Sequence, residues 1–80
     1  MNPGSTKPLA ECTVGESGTV RSMDMDAGSR QRLLEMGLLI GSRIDVVRFA
    51  PLGDPIEIKV RGYFLSLRRF DAAKIQVEVV

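Results

Sequence analysis

The sequence predicts a mainly β fold, a small barrel with one short α-helix, and three observations carry that prediction. Runs at residues 19–23, 42–49, 56–60, 63–67 and 75–80 read as strands, most of them alternating apolar with polar side chains. Helical spacing occurs convincingly only over residues 29–36. Glycine and proline punctuate the intervals, and short strands spaced so closely favour a barrel.

The helix organises the rest of the chain. Leu33 and Met36 lie three apart and Leu34 widens their stripe, whereas Arg30, Gln31, Arg32 and Glu35 suit water. Asp26 and Ser29 are rival N-caps, because either side-chain oxygen can accept from the free amides of the first turn; Asp26 is preferred because it lengthens the helix. Gly37 suits the left-handed position just past the helix, where a Cβ costs free energy. With Met36 as C-cap, Leu33 and Leu38 are the pair that meets in a Schellman ending.

On either side the chain is simpler. Residues 1–8 are rich in Asn, Pro, Gly, Ser and Thr and read as a flexible leader, which sets the domain at residues 9–80. Leu9 and Ala10 make the first core contacts in a single helical turn, and residues 14–18 form a loop. Residues 50–55 are a proline- and glycine-punctuated loop, and Arg61-Gly62 closes a hairpin. Residues 68–74 break the alternation with one turn of helix before the last strand. The inward positions predict a core of Val20, Leu33, Ile44, Val46, Ile58, Val60, Leu65, Leu67, Ile75 and Val77.

Composition excludes several functions. A hydrophobic fraction of 44% with 26% charged residues marks a globular chain rather than a disordered one. Eleven basic and ten acidic residues, net +1, give no polyelectrolyte signal for nucleic acid. The single cysteine excludes an internal disulfide, which fits a reducing cytosol, and the N-terminus has no long apolar run, so neither a signal peptide nor a membrane span is expected. The absence of histidine removes the commonest metal ligand and the usual general base near neutral pH. No glycine-rich loop ends in Lys-Ser or Lys-Thr. No catalytic residue, no cofactor and no tight metal site are therefore expected. Asp24 and Asp26, with Glu16 nearby, read as a solvated loop and a helix cap, and Cys12, beside Glu11, reads as a structural thiol.

Residues 32–41 resemble the helix-to-strand signature of the FeoA family, small cytoplasmic proteins of bacterial ferrous-iron uptake. Residues 49–56 resemble that family's loop between central strands, and residues 61–69 with 72–75 resemble its hairpin and closing turn. The likeness runs in order from Leu9 to Val80; Ile40 stands where the family often has proline. The resemblance implies an SH3-like small β-barrel with one short α-helix between the first and second strands. It also implies a non-enzymatic accessory or regulatory role and a partner, the cytoplasmic side of the FeoB permease, a membrane GTPase. Membrane association is expected only through that partner. A similar domain follows a DNA-binding region in iron-dependent repressors; with only a short leader ahead of it here, that reading is not expected.

Leu39, Ile40 and Leu52 are large apolar residues in glycine- and proline-bounded loops that the barrel is expected to bring together. They form the expected partner-binding surface, with Arg68 and Arg69 as its polar rim. An alternative reading places RNA or the ribosome on a basic edge of Lys59, Arg61, Arg68, Arg69 and Lys74. Glu57, Asp71 and Glu78 interleave with those cations and aromatic residues are only 5% of the chain, so nucleic acid is not expected. A third reading is a direct metal sensor built on Glu16, Asp24 and Asp26.

Overall fold

The alternating runs become strands of one antiparallel sheet. The computed structural model describes residues 5–80. Its strands are β1 (Ser5–Pro8), β2 (Ser17–Met23), β3 (Arg43–Phe49), β4 (Ile56–Val60), β5 (Tyr63–Leu67) and β6 (Ile75–Val79), in the spatial order β1-β6-β2-β3-β4-β5. A 3-10 turn spans Leu9–Glu11, helix α1 spans Ala27–Glu35, and a one-turn helix α2 spans Arg69–Ala72. Bulges in β2, between Val20 and Ser22, and in β3, between Val46 and Arg48, add the local bend that lets the sheet wrap its core.

Strand β1 corrects the expected leader. Its residues pair with β6 from Ser5↔Val79 to Pro8↔Gln76, so the ordered domain begins before Leu9. Residues 1–4 of that leader lie outside the described residues. An edge strand gains its place from backbone hydrogen bonds to one neighbour and needs no full apolar face, which is why composition concealed it; proline at its end costs no ladder bond on the open side. Counting β1, the helix α1 lies between the second and third strands, not the first and second.

Both ends of α1 follow from local chemistry. Asp26 is the N-cap, and its Oδ1 accepts from the Ser29 amide at 2.8 Å. At the other end the Leu38 amide donates to the Leu33 carbonyl at 3.0 Å and the Gly37 amide to the Leu34 carbonyl at 2.9 Å. Those two bonds define a Schellman ending, and Gly37 has the positive φ of 97° that it requires.

Nine of the ten predicted core residues are buried. Leu65 is only half-buried, because β5 is the outermost strand and one flank of it is open. Leu9, Ala10, Cys12, Met23, Leu38, Ile56 and Ala72 complete the core. Glu57 is half-buried and Ile58 fully buried, so the register of β4 is the one its alternation predicts.

The ladder of β3, β4 and β5 sets the geometry of the surface. Ile44, Val60 and Tyr63 lie together at one end of it, and Phe49, Ile56 and Leu67 at the other. From Ile44 to Phe49 the strand rises about 17 Å, at about 3.3 Å per residue.

Candidate partner-binding surface

The β3–β4 loop presents Leu52 on a braced frame. The Ala50 amide donates to the Pro55 carbonyl at 3.0 Å, and the Gly53 amide to the Ala50 carbonyl at 2.7 Å. Helix α2 locks the loop from outside: the Arg69 amide donates to Asp54 Oδ1 at 3.0 Å, and Arg69 Nη1 to the Gly53 carbonyl at 3.4 Å. Leu52 is 96% exposed at the tip of this frame. A large apolar side chain held outward by a fixed backbone loses little entropy on docking, which suits an interface anchor. The neighbouring α2 adds an exposed aromatic that sequence reasoning passed over, Phe70, whose ring lies 4.4 Å from the Lys74 ammonium. A one-turn helix that buries Asp71 and Ala72 leaves Phe70 off the inner face, a signal available only once that turn is placed.

Leu39 and Ile40 lie at the opposite end of the ladder. Their turn precedes β3 and is fixed by the Gly41 amide donating to the Val20 carbonyl at 2.8 Å and by Ser42, whose Oγ accepts from the Leu39 amide at 3.1 Å. Leu39 is 37% and Ile40 60% exposed. The expected convergence of the two loops is thus corrected: β3 separates them along its length, because one loop enters that strand and the other leaves it. Leu38, between the helix stop and these two, is fully buried and serves the core.

Arg68 and Arg69 diverge as well. Arg69 braces the Leu52 loop, whereas Arg68 Nε lies 3.6 Å from Asp71 Oδ2. The same oxygen receives Arg32 Nη2 from α1 at 3.4 Å, and the Asp71 side chain is only 7% exposed. Around this cluster runs a groove of about 300 Å³ between α1 and β5, lined by Arg32, Leu33, Met36, Ser66, Leu67, Arg68 and Asp71.

The other candidate groups are engaged within the fold. Glu16 accepts from the Thr13 amide at 2.8 Å and pairs with Lys7 at 3.1 Å; those contacts, the amide foremost, hold its carboxyl below the ordinary range. The Ser29 amide does the same for Asp26. Among the described residues no three His, Cys, Asp or Glu side chains converge on one point, so Glu16, Asp24 and Asp26 are not brought together. Burial, and then the Glu16 charge, push the Cys12 thiol up, the opposite of what a reactive thiolate needs. Of the expected basic edge, Arg68 and Arg69 are engaged as above, and Arg48 and Arg21 elsewhere pair with Glu57 and Glu78. Among the described residues no helix is long and apolar enough to cross a membrane.

Six antiparallel strands bent around one core, with a single substantial helix, define a small SH3-like β-barrel. The FeoA domain family matches residues 7–79, and the chain belongs to that family. It is 42% identical over 72 residues to an Fe(2+) transport protein A/Fe(2+) transporter FeoB fusion protein of Porphyromonas gingivalis, covering 90% of this chain and 8% of that protein's length. It is 38% identical to a putative Fe(2+) transport protein A of Methanocaldococcus jannaschii, covering 89% of this chain and 84% of the relative. Among solved structures, the FeoA protein of Chlorobium tepidum matches with a TM-score of 0.86 at 40% identity, over 91% of this chain and 70% of that one. The FeoA of Stenotrophomonas maltophilia, complexed with zinc and described as a prokaryotic SH3 domain protein, matches with a TM-score of 0.71 at 29% identity, over 86% of each chain.

Proposed function

We propose that this protein is a non-enzymatic accessory protein of ferrous-iron uptake that docks on the cytoplasmic face of the FeoB permease. The observation that carries this reading is the fusion relative, in which a domain 42% identical to this one shares a chain with the transporter. A domain that occurs covalently joined to a transporter in one organism is suited to meet it non-covalently in another, since fusion replaces affinity with effective concentration. The braced Leu52 tip is the apolar anchor, with Arg69 at its rim and Phe70 beside it on α2. Leu39 and Ile40 form a separate second contact at the far end of the ladder, and Arg68 contributes from the groove. Nothing in the protein's own chemistry requires it to bind iron or hydrolyse GTP.

The test is a pull-down with the tagged full chain from two membrane preparations that differ only in the permease. Retention of the permease from one preparation, at physiological salt, is the expected result. Equal recovery of RNA or ribosomes from both, falling steeply with added salt, would replace this reading with the nucleic-acid one.

A further inference from the structure

Resting on the docking reading above, we infer that the groove between α1 and β5 takes a short, extended, acidic segment of the permease, added as a strand on the free edge of β5. Three observations converge there. First, among the described residues β5 ends the sheet, and one side of its backbone has no strand partner there. Val60 and Tyr63 flank a two-residue turn and exchange the ladder bonds with each other, which leaves Phe64 and Ser66 directing their N–H and C=O groups outward. Among the described residues no backbone or side-chain partner outside β4 meets those groups.

Second, the groove has an apolar floor and closed ends. Leu33, Met36 and Leu67 line it, Leu33 and Leu67 being core residues whose outer sides it reaches. At one end the Tyr63 hydroxyl donates to the Met36 carbonyl at 2.9 Å, tying β5 to the end of α1. At the other end Arg32, Asp71 and Arg68 join α1 to α2. A groove of about 300 Å³ held open by two such ties accepts a few residues of extended chain and not a folded element.

Third, the charge at the closed end selects the occupant. Two guanidinium groups share a single buried carboxylate, each through one nitrogen and both to the same Oδ2 at 3.4 and 3.6 Å. Asp71 opposes an incoming anion, but one negative charge against two positive ones leaves an excess of +1 at the groove mouth. Both arginines are more than half exposed and keep N–H donors free for a bidentate carboxylate. Main-chain pairing supplies affinity in this kind of recognition, and the flanking pockets supply selectivity. An acidic side chain at the arginine end and an apolar one over Leu33 and Met36 are therefore the features required of the segment.

Amide hydrogen exchange of the full chain, with and without detergent-solubilised permease, is the experiment. Slowed exchange across Phe64–Ser66 on adding permease is expected. Ser66→Pro removes one outward N–H from which β4 accepts nothing, so the fold stands while affinity falls about tenfold or more. Arg68→Glu lowers it by a similar factor, an effect that shrinks with salt. Permease binding with unchanged exchange at residues 64–66, and full affinity in folded Ser66→Pro protein, overturns the groove assignment while the docking reading stands. No permease binding at all overturns both. Protection at residues 64–66 produced by anionic lipid vesicles alone, or by raising the concentration of this protein alone, would assign the edge to a lipid surface or to a second copy and overturn the proposal.

Discussion

Gly37 is held by two independent constraints. Its φ of 97° disfavours any side chain, and an added Cβ would sit 1.7 Å from the Tyr63 hydroxyl oxygen, the group that bonds the Met36 carbonyl. Left-handed strain alone costs about 1 kcal/mol, so Gly37→Ala should cost about 2 kcal/mol or more once Tyr63 is displaced. In a Tyr63→Phe background the oxygen is gone, and the penalty should drop by about 1 kcal/mol, a coupling that chemical denaturation of the four proteins of the cycle would measure. Asp26 gives a pH dependence at the same scale. Its folded-state pKa is lowered, chiefly by the Ser29 amide, so its cap contribution is complete above the ordinary value of about 3.9 and is lost as pH falls through the lower folded value. The thermal midpoint should be level from pH 7 to about 5 and decline in the acid range, and Asp26→Asn should flatten part of that decline. These caps were legible in the sequence because their partners lie within five residues; the Tyr63 contact spans 27 residues and was not.

Among elements, β4 was the most readable and β1 the least. The strict alternation of β4 announces a buried face, and its central Ile58 is wholly enclosed. Ile58→Ala should lose about 2–5 kcal/mol, a large part of the stability of a domain this size, measured as a fall in the denaturant midpoint with an unchanged slope. By contrast β1 owes its existence to the hydrogen-bonding edge of β6, a partner about 70 residues away that its own composition does not reveal. Helix α1 was readable from its spacing and stop signal, yet it buries only Leu33. Its groove-facing Arg32, and Met36 at its C-cap, acquire meaning from β5 and α2 across the groove. Loop residues behaved likewise. Leu39, Ile40 and Leu52 are exposed as their turn settings suggest, but only the path of β3 shows that they occupy different ends.

At the scale of the whole molecule, the barrel displays apolar groups at both ends of the β3–β4–β5 ladder and an open strand edge at β5. Eleven basic residues are balanced by ten acidic ones, and the exposed groups best suited to recognition are Leu52, Phe70 and the β5 edge. Family membership supports the proposed role in ferrous-iron uptake, and the braced loop is the feature proposed to grip a larger partner at little entropic cost. The most direct measurement is the affinity of folded Leu52→Asp protein for purified permease, compared with the parent chain at equal salt. An unchanged thermal midpoint with affinity reduced about tenfold or more is the predicted result, since an interface anchor is lost without touching the core. Parent-level affinity in the folded variant would contradict docking through the Leu52 tip.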